Sequence, residues 1–245
     1  MPLVHVEHAM GTAFSFHADP AALTPAAQGE ALQAACAALH AADRTFSPWI
    51  EESPVSRLRR GELTVGDAPA EVADVLDLCR QAGLLSGGYF DAWALPGGVD
   101  PTGLVKGWAI QRAAGILQAA GFASGMVNGG GDIQVFGRPH RIGVRSPQRA
   151  DLLACVVDVS HAIATSGLYE RGAHLLDPHT GRPAGAVQSA TVTGPELWLA
   201  DALATALFVE GLPGLTRVAA VPGCHALIID LEGRLRPTPG FPLAA

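Results

Sequence analysis

Trp198-Leu-Ala-Asp-Ala-Leu-Ala-Thr-Ala-Leu-Phe-Val-Glu-Gly211 is the stretch around which the rest of the chain can be read. Nearly all of it is good helix former, and Gly211 stands where a helix stop belongs. Two oxygen-bearing side chains, Asp201 and Thr205, interrupt the apolar run. Four residues apart, they fall about 40° from each other on one helical face. A carboxylate beside a hydroxyl suits a hard cation such as Mg2+, which takes oxygen ligands and keeps positions open for phosphate. Taken alone, the pair fits a plainer arrangement equally well, with Asp201 in solvent and Thr205 at the edge of a core.

Outward from this helix, residues 186–193 read as the strand that feeds it. A short helix near 213–220 and a hairpin, 226–230 with 234–236 around Glu232-Gly233, follow it. At the other end, residues 3–8 and 12–17 alternate as two strands about a Met10-Gly11 turn. Thr24-Pro25 pairs a cap with proline at the first helical position and predicts a helix to about Asp43. Proline and serine between Thr45 and Leu58 predict a surface loop. A second helix is expected from Pro69 to Leu85, with Val72, Val75, Leu76, Cys79 and Leu84 on one stripe. Thr102 is read as the cap of a third helix ending at Gly121. Residues 125–136 read as two strands about Asn128-Gly-Gly-Gly-Asp132, and 141–145 and 155–159 as two more. Strands arriving in hairpins, not in a βα series, predict an α+β fold with a mixed, largely antiparallel sheet and packed helices. Residues 1–245 are expected to make one domain, or two intimately packed lobes.

Three further features bear on chemistry. Lys106 lies near the start of the third helix, where the helix dipole disfavours a cation; an anionic ligand at the helix N-terminus or a lysine with its charge in water are both open there. The three glycines 129–131 permit either a plain turn or close approach of a ligand to the backbone, but no Walker A loop or GxGxxG follows. His174 and His179 flank Asp177-Pro178 in a turn that fits no helical metal motif; a structural histidine or a general base are both open there.

The 245 residues carry 16 basic and 23 acidic side chains, a net charge of −7, which argues against nucleic acid as a partner. No run of apolar residues is long enough for a membrane span, and residues 1–10 lack the pattern of a secretory signal, so the expected compartment is the cytoplasm. Cys36, Cys79, Cys155 and Cys224 form no CxxC pair and are read as buried free thiols, not as a zinc site or a disulfide frame.

Taken in order, these blocks resemble the ApbE family of flavin transferases (FAD:protein FMN transferases). They are Met10-Gly-Thr12, Phe46-Ser-x-Trp49, Ser53-x-x-Ser56-x-Leu58, Gly88-Tyr-Phe-Asp91, Val99-Asp100 with Lys106-Gly107, and Asn128-Gly-Gly-Gly-Asp132. Thr165-Ser-Gly-x-Tyr169-x-Arg171, His174-Leu-Leu-Asp-Pro-His-Thr-Gly181 and Ala200-Asp-Ala-Leu-Ala-Thr205 complete the series. The resemblance implies FAD as substrate, Mg2+ on its diphosphate, transfer of FMN to a Thr or Ser hydroxyl of an acceptor flavoprotein, and release of AMP. It implies Asp201, Thr205 and the Gly103 carbonyl as metal ligands, with Asp201 also in the catalytic set. Met10, Trp49, Tyr89, Phe90, Asp91, Asp100, Lys106 and Leu176 match flavin-nucleotide contacts, and His174 matches the histidine acting on the acceptor hydroxyl. Ala204 departs from members that carry a second aspartate there. Many members are exported and membrane-anchored. Two alternatives stand beside transfer: an FAD pyrophosphatase, in which water replaces the acceptor, and an FAD-binding protein without turnover.

Overall fold

The computed structural model describes residues 2–94, 96–149, 151–167 and 176–245. The fold is α+β. The chain opens with β1 (Leu3–Ala9) and β2 (Thr12–Asp19), a hairpin turning on Met10 and Gly11 at φ 50° and 69°. Left-handed backbone at both central residues matches the twist of the flanking strands. Met10 bears the strain that glycine escapes.

Helix α1 (Pro25–Phe46) starts where Thr24 accepts a hydrogen bond from Ala27 N, and it runs three residues beyond the expected end. The expected loop from Thr45 to Leu58 is in part helical. Ser53 accepts from Ser56 N at 3.0 Å and starts α2 (Pro54–Arg59), burying Val55 and Ser56. Helix α3 (Ala70–Leu85) buries Val72, Val75, Leu76 and Cys79, but Leu84 is 83% exposed. The apolar stripe therefore stops one turn early. Helix α4 (Thr102–Ala119) is not capped by Thr102, which is its first residue. The Asp100 carboxylate accepts from Thr102 N at 3.0 Å, placing negative charge at the positive end of the helix.

Strands β3 (Ser124–Gly129), β4 (Asp132–Phe136), β5 (His140–Arg145), β6 (Leu153–Val159), β7 (Ala162–Gly167) and β8 (Ser189–Gly194) follow. Then come α5 (Leu197–Glu210), α6 (Gly214–Ala219), β9 (His225–Ile229) and β10 (Leu235–Pro237). Among the described residues the main sheet has eight strands, in the order β1-β2-β3-β4-β7-β8-β9-β10, and every pairing in it is antiparallel. Strands β5 and β6 form a separate pair.

The period of two along the strands separates the faces of this sheet. Phe136, Ala162, Ala164, Ala190, Val192, Ala226 and Ile228 point to the helices and join the main core. Ile133, Val135, Ile163 and Leu227 point the other way and make a second core with Val144, Val157 and Val159 of β5 and β6. Helix α5 is apolar all round, so it must be covered on all sides. It packs against α4, β7 and β8, and α4 in turn packs against α1, β3 and β4. The start of α4 and the middle of α5 thereby meet directly on one face of the sheet. Among the described residues, no helix is long and apolar enough to cross a membrane.

Candidate active site

Asp201 is buried, only 5% exposed, so the solvent-facing alternative for it does not hold. Its Oδ2 accepts from the backbone N–H of Gly107 at 3.0 Å. In a helix that N–H points toward the carbonyl four residues back, which is Gly103. The Asp201 carboxylate is therefore brought to the side of α4 where the Gly103 carbonyl lies. Only a residue without a side chain allows this approach. A Cβ on Gly107 would sit 2.7 Å from the Leu197 carbonyl oxygen and 2.9 Å from Asp201 Cβ.

One turn along α5, Thr205 Oγ1 lies 3.3 Å from Ser166 Oγ on β7. The preceding residue, Thr165, donates its backbone N–H to Asp132 Oδ1 at 3.1 Å. Asp132 is 1% exposed, and its other carboxylate oxygen is ion-paired with Lys106 on α4. Lys106 precedes Gly107, and the circuit closes. A continuous ring of polar groups joins α4, β4, β7 and α5 in a region otherwise packed with apolar side chains. An internal carboxylate, Asp132, and neither bulk solvent nor a ligand alone, thus offsets the Lys106 charge against the helix dipole.

Lys106 also lines a cleft of about 460 Å3 with Met10, Gly11, Asp43, Phe46, Trp49 and Thr102. Asp43 Oδ2 accepts from Met10 N at 3.0 Å, and this bond holds the strained turn against α1. Trp49 stands 77% exposed at the rim. Strain persists where the surroundings over-determine it, as here beside a cleft. Met10, Trp49 and Lys106 are thus brought together, and Asp100 sits at the helix start next to Thr102.

Other predicted residues lie apart from this cleft or behind it. Phe90 is buried in the main core, with its ring 3.2 Å from where a Gly103 Cβ would stand. It backs the start of α4. Tyr89 meets His179 edge-on at 4.6 Å and carries Arg217 over its ring at 5.8 Å. Asp91 is exposed and accepts from Trp93 N at 2.8 Å. Leu176 pairs with Pro183 at the base of the Asp177 turn. There the Asp177 carboxyl accepts from the Thr180 hydroxyl and from His179 N, which holds it below the usual carboxylate range. His174, with Tyr169 and Arg171, lies outside the described residues. Ala204 is fully buried in the main core.

Sequence reasoning named Asp132 and Ser166 only within family blocks and Asp43 only as a helix end, and gave none of them a role in the site. Asp132 carried a usable signal, a carboxylate between a glycine turn and the apolar strand Ile-Gln-Val-Phe. Asp43 carried a weaker one, an acid in an alanine-rich helix. A hard divalent cation fits the donor set of Asp201, Thr205 and the Gly103 carbonyl, which offers oxygen alone from two facing helices.

The model of the ApbE family matches residues 10–97 and 95–228. The chain belongs to the ApbE family. It is 36% identical over 155 residues to the FAD:protein FMN transferase of Rhodobacter capsulatus, a match covering 58% of this chain and 30% of that protein. A match to the Vibrio cholerae protein of the same name is 36% identical over 129 residues, 46% of this chain and 39% of the other. The matched stretches thus span well under half the length of these curated relatives. The fold is shared more widely. An ApbE protein of Thermotoga maritima superposes with a TM-score of 0.84 at 24% identity, over 98% of this chain and 97% of that one. The flavin transferase ApbE of Vibrio cholerae gives 0.80 at 22%, over 97% and 96%. In this ApbE fold the polar ring and the cleft occupy one end of the α4–α5 pair.

Proposed function

We propose that the chain transfers the FMN part of FAD to a Thr or Ser hydroxyl of an acceptor flavoprotein and releases AMP. The observation that carries this reading is Lys106. It lines the cleft and, through Asp132, belongs to the same polar ring as Asp201 and Thr205. A buried carboxylate fixes the ammonium, so the cation waits in place for an anionic group without reorganising. Names of relatives sharing 36% identity support FAD as the substrate.

Asp201, Thr205 and the Gly103 carbonyl would hold Mg2+. When bound, it supplies neutralising charge at the diphosphate and at the departing AMP. The chain's own residues do the rest by placement, since phosphoryl chemistry depends on position and charge more than on covalent help. Trp49, at the cleft rim, offers a flat apolar face to the isoalloxazine ring. The acceptor hydroxyl oxygen forms a bond to the FMN phosphorus, and the bond from that phosphorus to the bridging oxygen breaks with AMP leaving. His174 takes the hydroxyl proton, a task suited to imidazole near neutral pH.

The test is AMP release from FAD and Mg2+ by purified protein, with and without a peptide bearing a flavinylation threonine, with peptide mass followed in parallel. Acceptor-dependent AMP with an FMN adduct is the expected result. Asp201→Asn keeps an oxygen to accept from Gly107 N but loses the charge, and should abolish turnover in a folded protein. His174→Ala should suppress adduct formation while FAD still binds. AMP without any adduct would replace transfer by hydrolysis, and FAD bound but intact would refute both enzymatic readings.

A further inference from the structure

A second cluster of metal-ligating side chains lies between β1 and α1. His5 and Glu7 are two apart on β1 and share one face of the strand; Cys36 and His40 are four apart on α1 and share one face of the helix. Helix α1 packs on β1, and the two pairs meet. His5 Nε2 stands 3.3 Å from Glu7 Oε2, and His40 Nε2 stands 3.3 Å from Glu7 Oε1. Ligand atoms of His5, Glu7 and Cys36 all lie within 4.8 Å of one another. Cys36 is buried at the base, while the His5, Glu7 and His40 side chains are 35%, 27% and 42% exposed and leave the mouth open to solvent.

We propose that His5, Glu7, Cys36 and His40 form a binding site for a divalent transition-metal ion of the Zn2+ type, distinct from the oxygen site at Asp201 and Thr205. One sulfur, two imidazole nitrogens and a carboxylate oxygen are the donors such an ion prefers, in the number a tetrahedral site needs. Bonds of about 2.0 to 2.3 Å place tetrahedral ligand atoms roughly 3.3 to 3.8 Å apart, so His5, Glu7 and Cys36 must close by about an ångström, and His40, which touches Glu7 but stands outside their 4.8 Å grouping, must swing further to join them. A plain clasp of two imidazoles on one carboxylate would tie strand to helix without a thiol. The thiol at its base is what favours a metal.

Hydrogen bonds from His5 and then Cys36 lower the Glu7 carboxyl to about 2, and burial, then Glu7, pushes the Cys36 thiol up to about 12. Without metal the thiol keeps its proton and donates a hydrogen bond to the Glu7 carboxylate. A bound divalent ion displaces that proton, so affinity falls in acid and binding releases protons. The site would also bracket the hairpin that carries Met10, since Asp43 holds Met10 from the same helix, about one turn beyond His40.

Co2+ is the probe. Titrated into untagged, metal-stripped protein, it should bind with a thiolate charge-transfer band and the intense visible bands of tetrahedral geometry. One equivalent of Zn2+ should displace it, and excess Mg2+ should not. Cys36→Ser should remove the charge-transfer band, although Cys79, Cys155 and Cys224 remain. His40→Ala, a half-exposed change that the fold should tolerate, should weaken Co2+ by at least the roughly 10- to 100-fold that loss of a mere supporting group costs. A band that survives Cys36→Ser, Co2+ bound without a thiolate band, unchanged affinity in His40→Ala, or no Co2+ binding would each overturn the proposal.

Discussion

Gly107→Ala adds one methyl group where α4 crosses α5, and the structure sets its cost. The new Cβ would lie 2.7 Å from the Leu197 carbonyl oxygen, 2.9 Å from Asp201 Cβ and 3.1 Å from Asp201 Oδ2. The first is backbone and the second is the root of a side chain, so no flexible end can swing clear. Helix α5 is held between α4 and the sheet and has little room to retreat. Overpacking of this kind costs about 1–3 kcal/mol. Alanine returns ~1 kcal/mol of helix propensity over glycine. Contacts this short call for the upper part of that range, about 2–3 kcal/mol, so the net loss is about 1–2 kcal/mol, and at about 2–4 °C per kcal/mol for a chain of this size Tm should fall by roughly 2–8 °C. Gly115 supplies the control. It is exposed on the same helix, and a Cβ there meets nothing within 4 Å. Gly115→Ala should stabilise by about 0.4–1 kcal/mol. Thermal and urea melts of the two variants should thus move in opposite directions. FAD turnover should drop in Gly107→Ala, because Asp201 is displaced, and should persist in Gly115→Ala. If Gly107→Ala melts at or above the parent temperature, the close crossing is wrong. If it is destabilised but turns over normally, the placement of Asp201 does not matter to the chemistry.

Lys106→Met leaves the Asp132 carboxylate buried without its cation, which should cost about 3–5 kcal/mol. Adding Asp132→Asn should recover part of that in urea melts, and a full additive loss in the double variant would show that the pair is not coupled. Trp49→Ala removes a side chain that is 77% exposed, so stability should stay within about 0.5 kcal/mol while FAD affinity, read by calorimetry, falls several-fold. Burial pushes the Cys79 thiol up to about 12. A group raised in the folded chain stabilises fully below its unfolded value and loses that contribution as pH rises through the folded one. Stability should therefore fall between about pH 9 and pH 12, and Cys79→Ala should show a shallower fall in urea midpoint between pH 8 and about pH 10.5.

Local signals in the chain located most of the elements. Thr24-Pro25 started α1, Met10-Gly11 and the glycines after Asn128 turned two hairpins, and Gly211 ended α5. Each is a short-range effect of capping, turn geometry or period, so it is complete within a few residues. The same range explains the errors. Leu84 continues the stripe of α3 by count, but no partner covers it, and only packing decides that. Thr102 has the chemistry of a cap, yet the helix begins at it because the Asp100 carboxylate takes its N–H.

The Asp201 and Thr205 pair was legible because both sit on one helix, where spacing alone sets the face. By itself the chain determined the antiparallel α+β character, the helix and turn limits, and that pair of oxygens. Tertiary structure decided that Asp201 is buried, that Asp132 answers Lys106, and that Gly107, 94 residues from Asp201, must lack a side chain. It alone brings Cys36 to His5 and Glu7, which no CxxC spacing announces. Sequence periodicity places a residue on a face of its own element. Which faces then meet depends on how apolar surfaces far apart in the chain are buried against one another, and charge and ligand geometry follow from that meeting.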